Sequence, residues 1–205
     1  QLKIAIDSLL DTTEPRKNLG RPRLPVDRCF SVAGFGTVVT GTLIDGSLTV
    51  GQEVELVPSG QRCRIRGLQT HRKGVKYADP GCRLAVNLSG ISRSDIQRGE
   101  MVTTPGWLQS SDLLDAHFRM IPNAARSLKH NQGNSFHLYT SETRARVRLL
   151  DEKELVAGAE GLVQIHLSDP IPVVKGDLFV VRSSEDTLGG GRVVDAHPKR
   201  HRRFQ

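Results

Sequence analysis

The sequence predicts an all-β chain of two small antiparallel β-barrels in tandem, with a short N-terminal helix and a linker ahead of them. Three observations carry this expectation. Runs of two-residue alternation recur at short intervals, Gly-rich turns separate them, and no helical periodicity intervenes after residue 25. Of the 205 residues, 37% are apolar and 4% aromatic, which suits two modest cores better than one large one.

Leu2, Ala5, Ile6, Leu9 and Leu10 recur at helical spacing and give one apolar face to a short helix. Pro15 is expected to end it, because proline lacks an N–H and restricts the residue before it. Residues 16–25 read RKNLGRPRLP, a basic stretch with two prolines and a glycine, so 1–25 are assigned to an upstream segment and linker.

Alternation then begins. Residues 28–32 and 37–44 flank Gly34-Phe35-Gly36 as a hairpin, and further strands are predicted at 53–57, 61–69, 83–88 and 101–103. This is the first barrel, 26–106. A second series at 116–121, 135–139, 144–150, 161–167, 178–182 and 192–195 makes the second, 107–196. Residues 197–205 form a basic tail.

Charge narrows the partner. The chain has 29 Lys and Arg against 22 Asp and Glu, a formal charge of +7, of which the tail holds four through Lys199, Arg200, Arg202 and Arg203. An anionic partner follows, with RNA, DNA, an acidic protein and an anionic surface all open. No apolar run approaches the ~18–20 residues of a membrane-spanning helix. The N-terminus, QLKIAID, has neither an initiator Met nor a signal-peptide pattern and reads as the interior of a longer chain. Cys29, Cys63 and Cys82 are odd in number and widely spaced. They read as buried thiols in a reducing, cytoplasmic setting, not as a disulfide framework.

Catalytic patterns are missing from the sequence. It contains no GxxxxGK[ST] loop, no HExxH and no GxSxG, and the DxxG at Asp186–Gly189 reads as a turn without a phosphate loop beside it. His117 and His137 alternate with apolar neighbours and fill strand positions. No catalytic residue, metal site or cofactor is therefore expected in this chain.

Two strands stand out for charge. Arg62, Arg64 and Arg66 alternate with Cys63 and Ile65, and Arg144, Arg146 and Arg148 with Ala145 and Val147, so each strand shows one arginine face. Such a face is either a solvated exterior or a surface for phosphates, to which Arg offers a fixed fork of donors. With aromatics scarce, a structured RNA recognised through its backbone fits better than stacked single strands. The tail reads as a linker or a further RNA contact.

Residues 27–42, DRCFSVAGFGTVVTGT, resemble the second-domain signature of the elongation factor Tu-like translational GTPases. VGQEVELVP (50–58) and RGEMV (98–102) extend the likeness, and Glu14-Pro15-Arg16 with RPRLPV (21–26) resembles the exit from the GTPase domain of such a factor. Within that family the chain is most similar to the bacterial selenocysteine-specific branch, through Asp27-Arg28, GCRLAVNL (81–88) and the closing GGGRVVDAHP (189–198).

That resemblance implies domains II and III of a tRNA carrier. GTP and Mg are then expected only in a GTPase domain, and an mRNA selenocysteine-insertion hairpin is expected to bind a C-terminal domain. Selenocysteyl-tRNA and the ribosome are the implied partners, with no membrane. Asp27, Arg28 and Arg83 match the selenocysteyl pocket, and Gln69, Thr70 and His71 fall in the terminal-adenosine region. The two arginine faces become candidate contacts to the tRNA backbone. A selenol is a stronger acid than a thiol, so two arginines favour the selenolate where serine offers a neutral hydroxyl. Asp27 either orients Arg28 or accepts from the α-ammonium, and Arg83 has Asp79 and Glu100 as possible surface partners. Two rival readings stand beside this one. The first is the same barrel pair from an initiation factor 2 gamma-like GTPase, against which Asp27, Arg28 and Arg83 argue. The second is a coupling module between domains that binds no RNA.

Overall fold

The computed structural model describes residues 1–13 and 18–201. Helix α1 (Leu2–Asp11) forms as its spacing predicts, but none of its residues is buried. Pro15 lies outside the described residues, as do residues 202–205 of the basic tail.

The first barrel contains β1 (Arg23–Pro25), β2 (Arg28–Val32), β3 (Gly36–Thr42), β4 (Leu48–Thr49), β5 (Glu53–Val57), β6 (Gln61–Thr70), β7 (Lys73–Val75), β8 (Tyr77–Ala78), β9 (Arg83–Ser89) and β10 (Met101–Thr103). Its main antiparallel sheet runs β1-β10-β5-β6-β9-β3-β2. Residues 23–25, read from composition as linker, instead pair with Met101–Thr103. Proline is tolerated at 25 because β1 is the end strand of this sheet and, among the described residues, its far side bonds only at Arg23, in a bridge to Asp45.

The sheet curls until β1 lies over β3, and packing closes that gap. A Cβ on Gly41 would sit 2.2 Å from the Pro25 carbonyl oxygen and 2.9 Å from Leu24, so only glycine fits at that place in GTVVTG. Inward residues such as Leu24, Val39, Val54, Leu56, Ile65, Val86 and Val102 fill the core.

The second barrel is closed. Strands β11 (Ser110–Met120), β12 (Leu128–Lys129), β13 (Gln132–Leu138), β14 (Ser141–Leu149), β15 (Glu154–Leu155), β16 (Glu160–Pro172), β17 (Leu178–Arg182) and β18 (Thr187–Asp195) follow in order. Six of them close in the order β11-β16-β14-β13-β17-β18. β11 and β16 extend beyond the predicted strands, and a bulge between Ser111 and Leu113 lets the pair bend. Phe136 and Phe179 stack at 5.0 Å in a core shared with Phe118, Val147, Ile165 and Val193.

The barrels meet around one buried guanidinium. Arg23, 5% exposed, donates from Nη1 to both oxygens of Asp177 at 2.8 Å, and from Nε and Nη2 to Asp45 at 2.8 and 2.6 Å. Tyr139 Oη donates to Asp177 at 2.7 Å and presents its ring to Arg23 at 5.6 Å. Burial works against the Arg23 charge, but Asp177 leads the groups that outweigh it and keep the guanidinium charged. Val57, Met101 and Leu108 form an apolar patch at this junction, with Trp107 and Val174 packed on it. Elsewhere along the junction Ser141 Oγ donates to the Gly99 carbonyl at 2.8 Å.

Candidate functional site

Four strands of the first barrel bring the sequence-predicted pocket together. Register places Arg28, Thr40, Ala85 and Gln69 in one row across β2, β3, β9 and β6, and Phe30, Val38, Asn87 and Gly67 in the next. Because alternate residues share a face, both rows look outward while Val39, Leu84 and Val86 look in.

The charged end of this face is Asp27, Arg28, Thr40 and Arg83. Arg83 Nη1 donates to Asp27 Oδ2, and Thr40 Oγ1 donates to Asp27 Oδ1 at 2.5 Å. Asp27 therefore holds Arg83, and neither Asp79 nor Glu100 does. Asp79 instead accepts from Tyr77 and Ser47, and Glu100 accepts from the Gln97 amide. Partial burial pulls the Asp27 carboxyl up, yet the hydrogen bonds from Arg83 and Thr40 and the charges of Arg83 and Arg28 hold it below the ordinary carboxylate value. Arg28 is exposed and contributes to that field.

Beside the charged end lies an apolar cleft of about 380 Å³, lined by Phe30, Val32, Phe35, Val38, Gly67, Leu68, Gln69, Gly74, Ala85 and Asn87. Phe30 and Phe35 are 39% and 64% exposed, well above ordinary core phenylalanines. Asn87 Nδ2 donates to the Phe35 carbonyl at 2.9 Å, which ties the β2–β3 turn over the cleft and leaves Oδ1 without a protein partner. Sequence reasoning reached this region only through Gln69. The signal it passed over is an outward-alternating Phe30 followed by Val32 and Phe35.

Thr70 and His71 are not among the lining residues. His71 and Arg72, with φ of 48° and 63°, are the two-residue turn between β6 and β7, where Thr70 pairs with Lys73.

The arginine faces are real faces. Arg62, Arg64 and Arg66 all point outward from β6, and a bulge between Ile65 and Gly67 carries the outward side on to Gly67 and Gln69. One strand thus leads from an arginine row into the apolar cleft, over roughly 20 Å at about 3.3 Å per residue. Arg62 Nε lies 3.9 Å from Glu55, and Arg64 donates to the Gly51 carbonyl at 3.2 Å. On β14, Arg144 and Arg146 are exposed, whereas Arg148 is half-buried and donates to Gln164 at 3.2 Å. Arg144 and Arg146 edge a cleft of about 480 Å³ with Ser135, Ser168 and Ser184.

All three cysteines are free, and burial raises the thiol of Cys63 to about 11. Among the described residues, no three His, Cys, Asp or Glu side chains are grouped to hold a metal ion. No helix among them is long and apolar enough to cross a membrane.

Residues 36–103 match the family described as elongation factor Tu domain 2, and residues 116–200 match the selenocysteine-specific elongation factor β-barrel domain. The joined barrels are thus those of an elongation factor Tu-like translation factor. Among curated relatives, the selenocysteine-specific elongation factor of Desulfomicrobium baculatum is 38% identical over 205 residues, covering 99% of this chain and 32% of that protein. That of Haemophilus influenzae is 31% identical over 203 residues, covering 96% and 31%. The chain belongs to the selenocysteine-specific elongation factor family and spans about a third of the length of these relatives.

Proposed function

We propose that the chain is the tRNA-holding part of a factor that delivers selenocysteyl-tRNA to the ribosome at recoded UGA codons in the cytoplasm. The first barrel holds the selenocysteyl end and the second the acceptor and T-stem side. The observation that carries this reading is one outward face on which a charged pocket adjoins an apolar cleft. A 3′-terminal aminoacyl nucleoside has a matching division: a flat base whose π faces stack on aromatic and apolar side chains at one end, and a reactive side chain at the other.

In this arrangement the cleft takes the terminal adenosine between Phe30, Phe35 and Val38, with Gln69 at its edge. Arg28 and Arg83 face the selenolate. Asp27 is spent on Arg83, so it orients that arginine and compensates part of its charge. Arg28 is then the stronger attraction for the selenium anion. Serine on the same tRNA gains no such charge term. The arginines of β6 and β14 take backbone phosphates.

Nucleotide hydrolysis with GTP and Mg, ribosome contact and mRNA-hairpin binding are assigned to other parts of the whole factor. The barrel pair itself performs no catalysis in this scheme. The rival initiation factor reading is disfavoured by the match of residues 116–200 to the selenocysteine-specific barrel.

The test is competition between selenocysteyl-tRNA and seryl-tRNA for the chain and for Arg28→Ala and Arg83→Ala. A hydrogen bond to a charged group contributes about 1.5–3 kcal/mol, so Arg28→Ala is expected to lower the preference roughly tenfold or more. Arg83→Ala is expected to lower it less. An unchanged preference in both variants overturns the pocket, and absence of tRNA binding by the parent chain favours the coupling-module reading.

A further inference from the structure

Gln164 projects from the outer side of β16, between inward-facing Val163 and Ile165, yet it is 0% exposed. The cover is the start of the basic tail. Gln164 Nε2 donates to the Lys199 carbonyl at 3.0 Å and to Asp115 Oδ1 at 2.9 Å. Its Oε1 accepts from the His201 amide at 3.2 Å and from Arg148 Nη1 at 3.2 Å. Those four bonds use two donors and two acceptor sites of the amide, which is its whole capacity. His201 Nε2 also meets Asp115 Oδ2 at 2.5 Å.

The physical reason for a glutamine here is the closed barrel. β16 is paired on one side by β11 and on the other by β14, so its backbone has no ladder left for a further segment. A side-chain amide carries the same donor and acceptor as a peptide group. It offers the tail a substitute ladder, and Lys199 and His201 take it while exposed Arg200 stands between them.

Arg200 is thereby fixed beside the arginine face of β14. Register places His166 opposite Arg146, and Gln164 opposite Arg148. Burial first, then the charges of Arg148 and Arg200, hold the His166 imidazole below its ordinary value, against an opposing pull from Asp112. Both cations thus act on one point of the surface.

We infer that the Gln164 clamp joins the tail to the β14 face, so that Arg144, Arg146, Arg148 and Arg200 form one surface for the phosphates of duplex RNA, with Gln164 as a positioning residue. This rests on the reading of the second barrel as a holder of the tRNA stem. A-form RNA suits such a surface because its grooves are met through phosphates and 2′-hydroxyls, which an array of arginines contacts without reading sequence.

The experiment measures the salt dependence of binding, using the 205-residue chain and a stem-loop RNA of acceptor and T-stem sequence without an aminoacyl end. Each phosphate contact contributes about one to the slope of log K against log salt. Arg146→Ala is expected to lower the slope by about one. Arg200→Ala, an exposed substitution that leaves the clamp's backbone bonds in place, is expected to do the same. Gln164→Leu keeps every charge and is expected to lower the slope by about one if circular dichroism shows the fold intact. Loss from Arg146→Ala with no change in Arg200→Ala overturns the inference and leaves the stem reading standing. No change from Arg144→Ala, Arg146→Ala or Arg200→Ala overturns both. An equal slope on unpaired RNA of the same length overturns the duplex assignment.

Discussion

Arg23 and Asp177 lie 154 positions apart in the chain and form a two-oxygen ion pair that is buried on both sides, with 6% and 3% of their side chains exposed. Removal of one partner leaves an uncompensated buried charge, which costs about 3–5 kcal/mol. Arg23→Ala strands Asp177 at the junction and also releases Asp45. Urea unfolding of the variant is expected to show a loss of that order, with Asp45→Ala losing less because Asp45 retains more contact with solvent.

The Asp27–Arg83 pair gives a pH signature. The folded Asp27 carboxyl lies below its ordinary value, so its stabilising effect is complete above roughly pH 4–5. That effect is lost as pH falls through the lowered folded value. The stability difference between the parent chain and Asp27→Asn is expected to stay constant above pH 5 and to shrink towards strong acid. A difference that grows on acidification would show the pair to be unfavourable.

Occupancy of the apolar cleft is tested by Phe30→Ala. Stacking of a base on an aromatic ring is worth about 1–3 kcal/mol. Binding of intact tRNA is expected to weaken roughly tenfold, while binding of tRNA lacking the 3′-terminal nucleoside stays unchanged. Equal weakening of both RNAs would remove the nucleoside from this cleft.

The thiols should separate by reactivity. Cys63 is 6% exposed and its thiol is raised to about 11 by burial, so little thiolate is present at pH 8. Iodoacetamide on the native chain is expected to modify Cys82 well before Cys63, and urea is expected to abolish the difference.

The glycine run of β18 is a packing requirement. A Cβ on Gly191 would lie 2.1 Å from the His117 carbonyl oxygen and 2.9 Å from the Phe179 ring. Gly191→Ala is expected to destabilise the chain by about 1–3 kcal/mol, as overpacking does. Thermal unfolding measures it.

What could be read from the sequence was what repeats at short range. Alternation at Arg62–Arg66 and Arg144–Arg148 gave the right faces because a strand's period is set locally. Composition misassigned residues 23–25, since prolines that signal a linker also suit a short strand at the end of a sheet. The resemblance grouped Asp27, Arg28 and Arg83, but only the register of β3 and β9 shows which acid holds Arg83. The cleft around Phe30 draws on four strands, and the Gln164 clamp joins β16 to the tail. Neither has a local period to betray it.

Arg23 begins β1, only four residues before Asp27. The same buried pair that joins the barrels therefore helps to set the distance from the Asp27–Arg83 pair to the arginine face of the second barrel. On the proposed function the two barrels serve as the jaws of a caliper. A ligand long enough to touch both jaws is gauged by its length as well as held by its charge.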